Sequence, residues 1–235
     1  MSHDKRLRIA VDGPGSSGKG TVARAVARAL GYAYVDTGAM YRAVALMALR
    51  QGVDWDDADA VASLAAELDF DFRWDGDVLR ILVGGDDVTR EVRRDAVGTG
   101  ASRVSRHAAV REALLERQRT LAGKGGVVMD GRDIGTVVLP DAELKVYLDA
   151  SIDERARRRH DEMVRRGEAV KFQVVRDALA ARDRRDSERD VAPLRPADDA
   201  VRLDSTDLTV RQVVDAVLML AGQRQAAIDT GRSDD

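Results

Sequence analysis

A chain of 235 residues with a formal net charge of −3, 44% hydrophobic and 34% charged residues reads as one or two globular domains. It lacks the basic excess of a general nucleic-acid binder, it has no cysteine for disulfides, thiolate metal sites or nucleophiles, and no apolar run nears the ~18 residues of a membrane span. The charged start, Met1 to Arg8, holds no signal-peptide core, so a cytoplasmic protein with neither nucleic-acid nor membrane partners is expected.

Short apolar runs alternate with longer helical periods, the pattern of βαβ units and a parallel sheet. A strand is expected over 8–11, followed by a glycine-rich turn. A helix over 18–30 carries Val22, Ala25, Val26, Ala29 and Leu30 at helical spacing. A strand over 32–36 leads into helices over 38–50 and 58–68. Residues 70–92 break this rhythm. Phe70, Phe72 and Trp74, then Val78, Leu79, Ile81 and Val83, alternate about an Asp75-Gly76-Asp77 turn, a hairpin signal. This predicts a small antiparallel insert, about 68–95, outside the parallel core and removable without loss of the fold.

Parallel strands resume at 126–130 and 144–148. Ser151, Ile152, Asp153 and Glu154 make a capping-box pattern opening a charged helix over 154–166. A further helix spans 172–189 and a strand 201–203. Thr209 to Gln212 caps a last helix to about Leu220, and 223–235 reads as a polar tail. His3, His107 and His160 fit no metal-ligand spacing and are expected at the surface.

Gly13, Pro14, Gly15, Ser16, Ser17, Gly18, Lys19, Gly20 and Thr21 contain Gly-x4-Gly-Lys, the core of a phosphate-binding loop. Chance supplies roughly 0.03–0.04 such matches in a chain of this composition. Glycines let successive N–H groups turn inward around a polyphosphate, and the following helix offers its positive end. The nine residues are expected to bind a nucleoside triphosphate, with Lys19 on the β and γ oxygens. Ser or Thr ordinarily follows the lysine to hold Mg²⁺. Here Gly20 does, then Thr21, so magnesium is expected to rest mainly on phosphates and water. The sequence contains no Asn, which removes the usual Asn-Lys-x-Asp guanine reader and weighs against a GTPase.

Asp130 ends the apolar run 127–129, where a strand delivers a carboxylate to the metal side of such a loop, acting through water. A turn-forming aspartate is the plainer alternative. Arg132 and Asp133 follow at once, at the strand edge where parallel sheets bind ligands. Arg182, Asp186 and Arg189 fall at i, i+4 and i+7, so one helix face is expected to carry them. By spacing alone that face is either a solvated ion-pair ladder or a binding surface. Charges nearly cancel over 151–200, which favours a solvated face or a lid over a nucleic-acid arm.

Four blocks occur in the order found in bacterial cytidylate (CMP) kinases, of the nucleoside monophosphate kinase family of P-loop proteins. They are 13–21; Asp36, Thr37, Gly38, Ala39, Met40, Tyr41 and Arg42; 130–138, from Asp130 through Gly135 to Val138; and Arg182 to Asp186. The chain resembles that family from about Arg8 to Leu220. The resemblance implies a single kinase domain over 1–222, with a five-stranded parallel sheet, a substrate-side insert and a helical lid over about 151–170. It implies transfer of phosphate from ATP to CMP or dCMP with Mg²⁺, by what is expected to be a monomer.

Carried over residue by residue, the resemblance places the monophosphate on Arg42 and Arg132, and the cytosine near Ser102, Arg111 and Asp133. It places the sugar near Arg182, Asp186 and Arg189, with Thr37 where the family often has Ser. Lys19, Arg132 and the lid's Arg158 are the expected catalytic cations. The loop's Gly15-Ser16-Ser17 departs from the more common Ser-Gly-Ala. A kinase for UMP or AMP, or a non-enzymatic ATP-dependent interaction module, remains the alternative.

Overall fold

The computed structural model describes residues 6–75, 78–123 and 125–230. In chain order the first elements are β1 (Arg8–Asp12), α1 (Lys19–Leu30), β2 (Ala33–Asp36), α2 (Thr37–Gln51) and α3 (Ala58–Glu67). Then come β3 (Phe70–Asp75), β4 (Val78–Val83), β5 (Asp86–Asp87), α4 (Asp95–Val104) and α5 (Ala108–Ala122). The last third holds β6 (Val127–Gly131), β7 (Leu144–Asp149), α6 (Ile152–Arg165), α7 (Phe172–Glu188), β8 (Val201–Asp204) and α8 (Val210–Thr230). The chain divides into two compact units, Met1–Tyr34 with Ala122–Asp235, and Val35–Leu121.

The first unit is built on a five-stranded sheet in the order β2-β6-β1-β7-β8, with β1/β6, β1/β7 and β7/β8 parallel. β6 is buried throughout and β1 nearly so, because helices cover both faces of a parallel sheet. Edge strand β8 instead alternates between half-buried and exposed residues. Register sets the chemistry at the sheet's C-terminal edge. Val11 lies opposite Asp130 and Asp12 opposite Gly131, so the expected loop and the expected carboxylate emerge side by side. β1 reaches Asp12, one residue beyond the strand expected from its apolar run. α7 stops at Glu188, which leaves Arg189 in extended backbone and not on the helix face expected to carry it. α8 continues to Thr230, well past Leu220, so most of the expected tail is helical; 231–235 lies outside the described residues.

The second unit holds the antiparallel segment as its own sheet, β3-β4-β5. Phe70 pairs with Val83 and Phe72 with Ile81, as the alternation requires. Gly76 and Asp77 of the expected turn lie outside the described residues. A second hairpin joins β4 to β5 through Gly84 and Gly85, at φ 58° and 89°, the left-handed pair that a two-residue turn needs. The segment does not stand apart from the helices of its unit, as an insert removable without loss of the fold would. Ile81, Val83, Val88 and Val92 are buried in one core with Met40, Val44, Leu64, Val97, Val104 and Leu114 from the surrounding helices. Helices α4 and α5 have no counterpart among the elements expected from sequence. In α4, Gly100 is explained by the indole of Trp55, which stands 2.6 Å from where a Cβ would be. Among the described residues no helix is long and apolar enough to cross a membrane.

Candidate active site

The loop between β1 and α1 is shaped by backbone that side chains resist. Gly13 has φ 152°, and a Cβ there would overlap the carbonyl oxygen of Leu148. Ser16 is at φ 60° and Gly18 at φ 91°, so the chain turns left-handed before entering α1. Gly18 caps α1 with no side-chain acceptor, and the buried Ser17 Oγ has no partner. Lys19, almost wholly buried, lays its ammonium 3.2 Å from the Pro14 carbonyl oxygen. An uncapped helix start, a buried unpaired hydroxyl and a folded-back lysine together suit a polyanion such as the phosphates of ATP.

Arginines crowd the same loop. A Cβ on Gly18 would lie 3.7 Å from Arg158 Nη1, and one on Gly15 3.8 Å from Arg132 Nη2. Arg158, on α6, donates to Ser17 O at 3.2 Å, Ser205 Oγ at 3.1 Å, Ser205 O at 2.6 Å and Glu154 Oε1 at 2.8 Å. The hydrogen bond from Arg157, outweighing burial and joined by Arg158, holds the Glu154 carboxyl at about 2. One turn earlier, buried Arg155 donates to Gly15 O at 3.2 Å and Asp183 Oδ2 at 2.6 Å, tying α6 and α7 to the loop. These two helices share a small apolar core of Ala156, Val175 and Leu179.

Every strand of the sheet ends in or beside an aspartate, and each has a different task. Asp12 accepts the N–H groups of Ile134 and Gly135 at 2.8 and 2.7 Å, which pins the turn after β6. Burial pushes its carboxyl up to about 7, against those two hydrogen bonds and the Lys19 charge; the charge of Asp133 pushes the same way as burial. Asp130, also buried, accepts the Tyr34 phenol at 2.7 Å. Among the described residues no three acidic or histidine side chains converge as a metal cage. A single carboxylate beside the phosphates is the usual protein share of a Mg²⁺ site, so Asp130 fits the ion.

The turn after β6 delivers Arg132 and Asp133 toward α7. Arg132 Nε donates to Asp186 Oδ2 at 3.1 Å, and Arg182 Nε approaches the same oxygen at 3.9 Å. Burial alone would raise the Asp186 carboxyl; the charges of Arg132 and Arg182, with Arg189 behind them, outweigh it and lower it. Arg189, from just beyond α7, places Nη2 3.6 Å from Asp133 Oδ1. The first unit thus brings together Lys19, Asp130, Arg132, Asp133, Arg158, Arg182, Asp186 and Arg189 along one sheet edge and its flanking helices.

The remaining expected residues belong to the second unit. Asp36 caps α2 by accepting Ala39 N at 2.9 Å, and its other oxygen takes Arg42 Nη2 at 2.7 Å. Arg42 Nε is buried without a partner, and Thr37 is buried at the helix start. Buried Arg111 stacks 5.5 Å over the Tyr41 ring and lies 3.4 Å from Ser105 O. Ser102 is half-buried on α4, one turn below Ser105. His107 and His160 are half-buried. Their Nε2 atoms lie 2.8 Å from Trp55 O and 3.1 Å from Val170 O; His3 lies outside the described residues.

Sequence reasoning missed Asp12, Tyr34 and Ser205. Asp12 had a signal, since it ends a strand directly before the loop, as Asp130 ends another. Ser205 had none: it meets Ser17 and Arg158 only because β8 runs beside β7.

A parallel sheet with a glycine-rich loop after β1, a buried lysine starting α1 and a carboxylate on the neighbouring strand have the arrangement of a P-loop nucleotide-binding protein. Comparison with known proteins narrows the class. The sequence profile of the cytidylate kinase family matches residues 9–223. The cytidylate kinase of Geobacillus kaustophilus (strain HTA426) is 49% identical over 220 residues, covering 94% of this chain and 98% of that protein. The one from Bacillus subtilis (strain 168) is 45% identical over 221 residues, covering 94% and 99%. This chain belongs to the cytidylate kinase family.

Proposed function

We propose that the protein transfers the γ-phosphoryl group of ATP to CMP or dCMP, giving ADP and CDP or dCDP. The observation that carries this reading is the loop 13–21 with Lys19 folded across it and guanidinium nitrogens of Arg132 and Arg158 within 4 Å of the Gly15 and Gly18 Cβ positions. In the transfer the bond from the γ-phosphorus to the β–γ bridging oxygen breaks, and one forms to a phosphate oxygen of CMP. That oxygen is already anionic, so no base is needed to remove a proton. The work is positioning and charge stabilisation. Lys19 and the loop N–H groups stabilise charge gathering on the β-phosphate, and Arg158 holds the γ-phosphoryl. Asp130 would help to hold Mg²⁺, which would supply further neutralisation of the phosphate charge.

For the acceptor, Arg42 and Arg132 take the monophosphate, since a planar fork donates two parallel hydrogen bonds to an oxyanion. Ser102, Arg111 and Asp133 read cytosine, with its N3 and O2 acceptors and amino donor. Arg182, Asp186 and Arg189 take the sugar, with Thr37 close to the monophosphate. The relatives' names and the low Asp186 carboxyl, a fixed anion among three arginines, support this division. We take the protein to be a cytoplasmic monomer of one kinase domain, with 68–95 on the substrate side and 151–170 as a lid. A coupled assay of ADP release across CMP, dCMP, UMP, AMP and GMP tests the reading. Saturable turnover with CMP and dCMP is expected. ATP binding with no ADP released from any acceptor would instead mark a non-enzymatic module.

A further inference from the structure

Phosphate loops ordinarily place a hydroxyl after the lysine to share the magnesium with a strand-end carboxylate. Position 20 is Gly20, so no hydroxyl stands directly after the lysine, and Asp130 is the carboxylate left on that side of the loop. The structure puts another hydroxyl into that space. A Cβ on Gly20 would stand 3.4 Å from the phenolic oxygen of Tyr34 and 3.7 Å from Asp130 Oδ2. The same phenol donates to Asp130 Oδ1 at 2.7 Å. Tyr34 comes from β2, next to β6 in the sheet, and both side chains are almost fully buried. The ring is held from behind by the Arg24 guanidinium, 5.8 Å from its centroid.

We propose that Tyr34 is a positioning residue for the magnesium-side carboxylate, its phenol standing in space where position 20 carries no hydroxyl. A charge-assisted O–H···O⁻ bond is short and directional, so it fixes the rotation of the carboxylate. With Oδ1 engaged by the phenol, the Oδ2 edge is turned toward the loop at Gly20. Partners that orient a metal-side ligand in this way change metal affinity by about 10- to 100-fold when removed. The proposal rests on the reading of Asp130 as the metal-side residue.

The test measures Mn²⁺ affinity of the ADP-bound protein by electron paramagnetic resonance, alongside the Mg²⁺ requirement of ADP release, for Tyr34→Phe, Asp130→Asn and both together. Phe keeps the buried ring and removes only the hydroxyl. Tyr34→Phe is expected to weaken Mn²⁺ binding about 10-fold or more, leaving KM for CMP within about two-fold. Asp130→Asn should weaken it at least as much, and the double variant no further. Adding Gly20→Ser to Tyr34→Phe should recover most of the loss, because the new hydroxyl enters the space the phenol has left. If Asp130→Asn weakens metal binding and Tyr34→Phe does not, the proposal fails while the role of Asp130 stands. If neither changes it, both fail. Additive effects, or a collapse of thermal stability in Tyr34→Phe alone, would assign the phenol to the fold and overturn the proposal.

Discussion

At the scale of the residue, burial decides which charges can act. On the proposed reading Lys19 acts where charge moves during transfer, and a preorganised cation in a water-excluded site is worth far more than one in water. Lys19→Ala is expected to lower kcat by at least ~10²-fold, about 2.7 kcal/mol, with the fold retained; steady-state kinetics and circular dichroism check both halves. Asp12 carries a pH signature. Its carboxyl titrates near 7 when folded against 3.8 unfolded, so the folded state keeps a proton that the unfolded chain has already released. Its contribution to stability is full below about 3.8 and is lost as pH rises through about 7. Asp186 runs the other way: its depressed carboxyl adds stability above its unfolded value, which is lost as pH falls through the folded one. Urea unfolding of the native protein and Asp12→Asn across this range should show the stability difference between them shrinking as pH rises. A difference that grows would mean Asp12 is ionised throughout.

Elements in the second unit depend on one another more than their local patterns suggest. The β3–β4–β5 segment alternates as a free hairpin would, yet Ile81 is 1% exposed and Val92 wholly buried among helix residues. Ile81→Ala should therefore cost about 2–5 kcal/mol in chemical denaturation. Excision of 70–92 should leave 35–121 without its fold, seen as lost helical ellipticity. Survival of that ellipticity would show that α2 to α5 close their own core. Gly100→Ala is a sharper probe of the same packing. It improves helix propensity by about 1 kcal/mol, yet should destabilise, because a methyl group cannot fit 2.6 Å from the Trp55 ring.

For the whole molecule, the decisive property is choice of acceptor. Uracil swaps cytosine's amino donor for an acceptor and its N3 acceptor for a donor. A mismatched buried group costs about 1–3 kcal/mol, so CMP is expected to exceed UMP in kcat/KM by roughly 5- to 150-fold. Asp133→Asn should lower CMP efficiency and narrow that preference, leaving ATP affinity nearly constant. Because Arg189 faces Asp133 at 3.6 Å, Arg189→Ala separates the two roles. An equal loss for CMP and UMP in Asp133→Asn, matched by Arg189→Ala, would make the pair a support for the turn and not a base reader.

What the sequence determined by itself was whatever depends on short-range chemistry. Gly-x4-Gly-Lys fixes the tight turn between β1 and α1, because Gly13 has no room for a side chain and Gly18 is at φ 91°. Alternation about 75–77 forces an antiparallel hairpin, and Ser151 with Glu154 starts α6, where Ser151 Oγ accepts the Glu154 N–H. The strand runs and the four family blocks were equally legible. Tertiary structure alone decided the rest. Two glycines in α4 hid a helix whose close packing against Trp55 requires one of them. Arg189 looked like a third residue on a helix face, but α7 ends before it and it turns to Asp133. Tyr34 and Asp130 are far apart in sequence, and the phenol meets the carboxylate only because β2 and β6 are neighbours in the sheet. Local backbone preference can be read from a few adjacent residues; which side chains share a buried charge is set by strand order and register, which no local window contains.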